Sequence, residues 1–204
     1  LHSAHAQTLG LLGARLSGMR CVISTRRVDF AIRRHLANRW KYGRGIARFV
    51  AISRAVKEVL LRFGVDEGRI RLVPSGVERI APPPGAGEAF RRELGLGTGE
   101  ALVGNVAHLA DHKGQRYLIE AIPSVLRECP SARFVIVGEG ELEGELKTLA
   151  ASLGLGDRLI FTGFRTDVPA VLDALDLFVM SSHLEGLGTI VLDAMAAGKP
   201  VVAT

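Results

Sequence analysis

Cysteine occurs twice in the 204 residues, aromatic side chains make up 5 %, and there is a single tryptophan. Cys21 and Cys129 form no Cys-x-x-Cys pair and sit in no His/Cys cluster at ligand spacing, which argues against a disulfide framework or a structural zinc site. The expectation for both is an apolar thiol in the core of a protein from a reducing compartment. Scarce aromatics favour aliphatic packing, as in sheets covered by helices. No apolar run reaches the roughly 18–20 residues needed to cross a bilayer. Gly-x-Ser-x-Gly, the P-loop and Asp-x-Asp are all missing, so their chemistries have no motif here. The chain opens on Leu1 rather than Met, and we expect it to start inside a domain.

Apolar residues make up 48 % of the chain and charged residues 23 %, a globular balance. The net charge of +5 is unevenly spread. Residues 1–80 carry 16 Lys and Arg against 5 Asp and Glu, whereas residues 81–204 carry 10 against 16. A basic first half suits an anionic partner such as phosphate, nucleic acid or a lipid headgroup. A solvated Arg-rich surface would give the same count, and composition leaves the two open.

From residue 101 the pattern alternates strictly. Strands are predicted at 101–106, 133–137, 158–161, 177–180 and 200–203, and helices at 114–127, 142–153, 168–175 and 189–197. Near-continuous apolar runs such as Phe134-Val-Ile-Val137 read as strands buried on both faces, hence a parallel sheet with helical crossovers. Earlier in the chain we predict a helix over 5–16 whose buried face is Leu9, Leu12 and Leu16. A strand at 21–25, an Arg-rich helix at 32–44 and a strand at 48–52 follow. Ser53 caps a helix at 54–63, and a strand is expected at 69–73. Pro82-Pro-Pro-Gly-Ala-Gly87 reads as a linker, with a short helix at 88–94 behind it.

Ligands of such sheets sit beyond the carboxyl ends of the strands, where the polar and Gly-rich segments of this sequence gather. Gly104-Asn-Val-Ala-His108 leads through Lys113-Gly114 to a helix start. A lysine there opposes the helix dipole unless an anion is shared between the cation and the free amides; a surface lysine is the bland alternative. Gly138-Glu-Gly140 is followed by Gly144, giving GxGxxxG, and the neighbouring Glu141, Glu143 and Glu145 would repel a pyrophosphate. It reads as a strand-to-helix turn and not as an NAD site. Thr162-Gly163-Phe164-Arg165 offers a backbone ledge for a flat ring, with Asp167 as cap of the next helix. In Glu185-Gly-Leu-Gly-Thr-Ile-Val-Leu-Asp193 two carboxylates flank a Gly-containing loop at a helix start. The amides of Leu187, Gly188 and Thr189 suit a phosphate, and the carboxylates suit sugar hydroxyls. His2 and His5 have metal-like spacing but no Cys or carboxylate partner. Arg26 and Arg27 follow a strand.

Lys113-Gly114, Gly138-Glu-Gly140, Thr162-Gly-Phe164 and Glu185-Gly-Leu-Gly…Asp193-Ala-Met-Ala-Ala-Gly-Lys-Pro-Val-Val-Ala together resemble the family 4 glycosyltransferases over nearly the whole chain. Val50-Ala-Ile-Ser-Arg54 and Val73-Pro-Ser-Gly-Val77 extend the resemblance into the first half. It implies an α/β, GT-B-like fold of two Rossmann-like parallel-sheet lobes, both incomplete here. Residues 1–80 would be the later part of the acceptor lobe, 81–98 the linker and 99–204 the truncated donor lobe.

The resemblance further implies a retaining, metal-independent hexosyl transfer from a UDP- or GDP-type sugar to a glycan or lipid-linked acceptor. Lys113 and Glu185 would be catalytic. His108, Lys113, Gly163, Phe164, Glu185, Leu187, Gly188, Thr189 and Asp193 would bind the donor; His2, His5, Arg26 and Arg27 would face the acceptor or its phosphate. Three positions depart from the family pattern. Asp193 stands where Glu is usual, His108 where a phosphate-binding Arg is usual, and Arg27 where a His is frequent. These departures motivate a second reading, a nucleotide-sugar-binding protein without transferase activity. No metal and no nucleic acid are expected. The protein would be cytoplasmic, in peripheral contact with an anionic membrane. The 204-residue piece by itself is not expected to turn over substrate.

Overall fold

The computed structural model describes residues 4–19, 21–43, 45–78 and 80–204, the side chains of Ala4 and His5 excepted. Two compact units emerge. The first comprises Leu1–Gly76 with Leu184–Leu187, the second Val77–His183 with Gly188–Thr204.

In the first unit, α1 (Ala4–Leu16), β1 (Ile23–Arg26), α2 (Leu36–Tyr42), β2 (Arg48–Ala51), α3 (Arg54–Phe63) and β3 (Ile70–Leu72) follow in order. The strands form a parallel sheet ordered β1-β2-β3. Its core gathers Leu11, Ile46, Phe49, Val56, Leu60 and Ile70. Ser53 caps α3 as expected: its extended backbone lets the hydroxyl accept from Val56 N–H at 3.2 Å, and Gly64 closes the helix in the left-handed region.

Three expectations for local structure fail in instructive ways. Helix α1 buries Gln7, Leu11 and Ala14, not the predicted stripe; Leu9, Leu12 and Leu16 are 70 %, 48 % and 91 % exposed. Both stripes have helical spacing, so periodicity alone could not choose between them. The Arg-rich helix is confined to Leu36–Tyr42, because His35 adopts an extended backbone and its Nδ1 accepts from Asn38 N–H at 3.4 Å. Cys21 and Cys129 are both exposed, so neither is a core thiol.

The second unit contains α4 (Ala86–Glu93), β4 (Ala101–Val106), α5 (Gln115–Glu128), β5 (Ala132–Val137), α6 (Glu143–Ser152), β6 (Leu159–Gly163), α7 (Val168–Ala174), β7 (Leu177–Met180), α8 (Thr189–Ala196) and β8 (Val201–Ala203). Its five-stranded parallel sheet is ordered β6-β5-β4-β7-β8. Strand β5 is buried along its full length. Phe134 and Ile136 face the side covered by α5 and α6, where Leu118, Ile122, Leu146 and Ala150 meet them. Val135 and Val137 face the other side, with Phe90 of α4, Val171 of α7 and Ala194 of α8. The period of two along the strand thus sorts its residues into two cores. Within the stretch read as linker, α4 packs on α7. Gly87 N–H donates to Asp173 Oδ2 at 3.2 Å, and a Cβ at Gly87 would lie 2.9 Å from the Ala174 nitrogen.

Candidate functional site

The carboxyl edge of the five-stranded sheet is laced together by main-chain bonds. After β4, Ala107 N–H donates to Val137 O (3.0 Å) and Leu109 N–H to Glu139 O (2.9 Å). Gly138 N–H in turn donates to Gly163 O at 2.9 Å, tying the ends of β4, β5 and β6 into one rim. Gly138 has φ +136°, and a Cβ there would lie 2.0 Å from Ala107 O. The Gly138-Glu-Gly140 segment is therefore a close-approach turn, as its spacing suggested.

The Lys113 turn is fixed in the same manner. Asp111–Lys113 forms a single 3₁₀ turn, Gly114 follows at φ +63°, and α5 starts at Gln115. A Cβ at Gly114 would meet Ser181 O at 2.0 Å. Ser181 Oγ donates to Lys113 O (3.1 Å), and His183 N–H to His112 O (3.1 Å). Half-buried Lys113 and the segment after β7 are thus one unit of backbone. Nearby, His108 Nε2 lies 3.2 Å from Glu141 Oε2, so an anion approaching His108 competes with a carboxylate already beside it.

Helix α8 begins at Thr189 with Gly188 at its N-cap, a position whose Cβ would meet Met180 Sδ at 2.6 Å. Asp193, one turn further, lines a cavity of about 160 Å³ with Val168 and Pro169 of α7, Ala196 and Ala197, and Glu78 and Ile80. Burial raises the pKa of the Asp193 carboxyl from its ordinary value. At the mouth of the β6–α7 connection, Gly163 has φ +71° and open space where a side chain would be, and Phe164 is 67 % exposed. This is an uncovered ledge of backbone beside an aromatic ring. It is furnished for a flat group, and the half-buried carboxylate is furnished for hydroxyl donors.

A family model described as "Glycosyl transferases group 1" matches residues 87–204, and one described as "Glycosyltransferase Family 4" matches residues 1–79. The chain belongs to the group 1, family 4 glycosyltransferases. Its relatives include the Escherichia coli UDP-Gal:alpha-D-GlcNAc-diphosphoundecaprenol alpha-1,3-galactosyltransferase, 31 % identical over 98 % of this chain and 56 % of that protein. The lipopolysaccharide core biosynthesis mannosyltransferase LpsB of Rhizobium meliloti is 36 % identical over 62 % of this chain and 37 % of its own length. Among solved structures, Anabaena HepE in complex with UDP-glucose superposes with a TM-score of 0.82 at 25 % identity, covering 98 % of this chain and 57 % of that one. The architecture is GT-B-like. The chain spans about half the length of the curated relatives it matches.

Within this glycosyltransferase chain, the second unit brings His108, Lys113, Gly163, Phe164, Gly188, Thr189 and Asp193 to the carboxyl side of one sheet. Glu185 and Leu187 belong to the segment that clusters with the first unit, where Leu187 packs on the core. In that unit Arg26 is engaged in structure. Its Nη1 donates to the Tyr42 hydroxyl at 2.8 Å, its Nη2 donates to Phe30 O, and its Nε is buried with no hydrogen-bond partner among the described residues. Arg27, next in sequence, is exposed. His2 and the side chain of His5 lie outside the described residues.

Asp167 does not act as the expected cap of α7. It makes no side-chain cap bond, and its carboxylate is held by Arg165 instead, which lowers its pKa through hydrogen bonding and charge. Sequence reading also missed Glu78 and Ile80 as cavity residues, since they precede the linker by sequence and meet Asp193 only in the fold. Among the described residues, no group of three His, Cys, Asp or Glu side chains is arranged to hold a metal ion, and no helix is long and apolar enough to cross a membrane.

Proposed function

We propose that the full protein is a retaining hexosyltransferase that uses a UDP- or GDP-type sugar and needs no metal. The observation that carries this is the laced rim: one rigid backbone edge carries the Lys113 turn, the Gly163 ledge and the start of the helix bearing Asp193. In this reading the base lies on Gly163 and Phe164, and Asp193 accepts from the two ribose hydroxyls. The diphosphate meets Lys113, His108 and the amides of Leu187, Gly188 and Thr189. Glu185 holds hydroxyls of the hexose. As the anomeric bond breaks, the diphosphate oxygen gains charge, and the Lys113 ammonium stabilises it more than it stabilises the intact donor; that difference is what accelerates departure. The acceptor hydroxyl attacks from the face the diphosphate leaves, and its proton passes to the departing phosphate.

For the acceptor we propose a glycan or a lipid-linked glycan of the cell envelope. The relatives named for diphosphoundecaprenol and lipopolysaccharide core support it, as does the excess of Lys and Arg over Asp and Glu in residues 1–80. The same charge supports peripheral residence at the cytoplasmic face of an anionic membrane, with Arg26, Arg27, His2 and His5 on the acceptor side; Arg27 is the one we assign to an anion, given the engagement of Arg26. A non-catalytic nucleotide-sugar binder is the second reading, favoured by the Glu141 carboxylate beside His108. The 204-residue piece alone is expected to bind nucleotide without turnover.

Full-length protein supplied with radiolabelled UDP- and GDP-hexoses, with and without EDTA, tests both readings. Transfer that persists in chelator, with the anomeric configuration kept, is the expected result. Loss of transfer in EDTA sinks the metal-free claim, and tight nucleotide binding without turnover on any acceptor selects the binder.

A further inference from the structure

The Gly163–Phe164 ledge ends at a charge cluster that none of the roles above employs. Arg165 donates from Nε and Nη2 to the two carboxylate oxygens of Asp167, both at 2.8 Å. Its Nη1 and Nη2 also donate to the two oxygens of Glu93, at 2.5 and 3.1 Å. The guanidinium carbon lies 4.7 Å from the ring centroid of Phe90, which is fully packed in the core. One cation therefore holds two carboxylates bidentately while stacked on a buried ring. That fork geometry and stacking require arginine, and lysine cannot reproduce them.

The frame on the far side is rigid. Phe90 and Glu93 belong to α4, which is fastened to the end of α7 by Gly87 N–H to Asp173, and by Arg91 to Ala174 O (2.7 Å) and Asp176 (3.0 Å). Asp167 stands at the N-cap of α7 yet spends its carboxylate on Arg165 and leaves the cap bond unmade. The local sequence thus forgoes an ordinary helix cap in favour of a link to a helix 72 residues earlier. The link starts one residue after the exposed Phe164 and ends one residue before Val168, which lines the Asp193 cavity.

We propose that Arg165 is a positioning residue for the nucleotide: it clamps the corner 163–167 to α4 and so sets where the base ledge stands relative to the Asp193 cavity. This rests on the base lying at Gly163 and Phe164. Arg165 itself touches neither donor nor reacting atoms. Holding a recognition loop in its binding geometry before the ligand arrives lowers the ordering cost of binding, so loosening the clamp weakens affinity for the base-bearing ligand without altering the chemistry at the diphosphate.

The test compares full-length wild type with Arg165→Met, Arg165→Lys and Glu93→Gln. Calorimetry gives the Kd for UDP, for GDP and for inorganic pyrophosphate, the probe that has no base, and steady-state kinetics gives KM and kcat for the donor. For Arg165→Met we expect Kd for the preferred nucleoside diphosphate to rise about tenfold and its preference over the other to shrink, with pyrophosphate affinity within about twofold and kcat retained. Glu93→Gln, which keeps the Asp167 half of the clamp, should show about a third of that rise, and Arg165→Lys should restore little. Unchanged nucleotide affinity and base preference in Arg165→Met and Glu93→Gln, even with lowered Tm, would overturn the proposal and leave a stabilising ion pair. Equal losses for nucleotide and pyrophosphate would overturn it too, as general loosening of the site. Should Arg165→Met fail to fold, Glu93→Gln and Arg165→Lys carry the same comparison. Wild type that binds neither nucleoside diphosphate sinks the underlying functional reading, whereas wild-type binding with indifferent variants sinks the clamp alone.

Discussion

In the first unit Leu16 and Leu9 stand 91 % and 70 % exposed on α1, and Ile23 of β1 is half exposed; in the second, every residue of β5 is buried. The first unit assembles one core, while the second splits its apolar residues into separate clusters on the two faces of its sheet. The strands that carry the candidate site therefore belong to a sheet packed from both sides. The difference separates the candidate residues: His108, Lys113, Gly163, Phe164, Gly188, Thr189 and Asp193 stand on the unit whose sheet has a core on each face, and Glu185 and Leu187 on the unit with a single core.

Four substitutions sharpen or break that contrast. Phe178→Ala removes a fully buried ring from the second unit and should cost about 3–5 kcal/mol in chemical denaturation; a loss under about 1 kcal/mol would mean that this core is not the rigid one. Lys113→Ala should lower kcat/KM of the full protein about 10²–10³-fold, near 3–4 kcal/mol, with Tm nearly unchanged. Unchanged kinetics removes Lys113 from the site.

Asp193→Asn should act oppositely on fold and ligand. Burial raises the Asp193 pKa, so the folded state holds this proton more firmly than the unfolded chain does, whose value is about 3.9. Stability is then lost as pH rises through the folded pKa, and the neutral amide escapes that loss. Tm at pH 7 should hold or rise slightly while nucleotide affinity falls by roughly tenfold, about 1.4 kcal/mol, as a carboxylate acceptor is replaced. In wild type, nucleotide affinity should fall on acidification, starting at a higher pH than an unperturbed aspartate would give. Smallest is Leu16→Ala in the first unit, expected within about 0.5 kcal/mol of wild type; a large loss would show that this exposed face is covered in the protein tested.

What could be read in advance follows the same division. Strands 101–106 and 177–180 match observation residue for residue, because a strand packed on both faces leaves a continuous apolar run with polar or Gly residues at its ends. The bounds of helix α1 agree to within a residue but its buried face does not, since two stripes share helical spacing and the one that is inside, Gln7, Leu11 and Ala14, is the less apolar. The site segments were legible because Gly and polar residues collect where strands end. Arg165 was not, because a charged residue in a loop looks solvated until Glu93, distant in sequence, is folded against it. Asp193 was legible as an acid one turn into a helix, but its desolvation depends on Ile80, Val168 and Pro169, which meet only in three dimensions.

The bonds that lace the rim run between main-chain groups: Ala107 to Val137, Leu109 to Glu139, Gly138 to Gly163. Side chains at those positions contribute nothing to these bonds beyond being small where Gly138 and Gly140 approach the neighbouring backbone. Exchanging His108, Glu139 or Phe164 for other residues would therefore leave the edge standing. Such an edge separates heredity of shape from heredity of taste: if it presents a sugar nucleotide as proposed, a lineage could change the preference one side chain at a time, with no need to refold the surface.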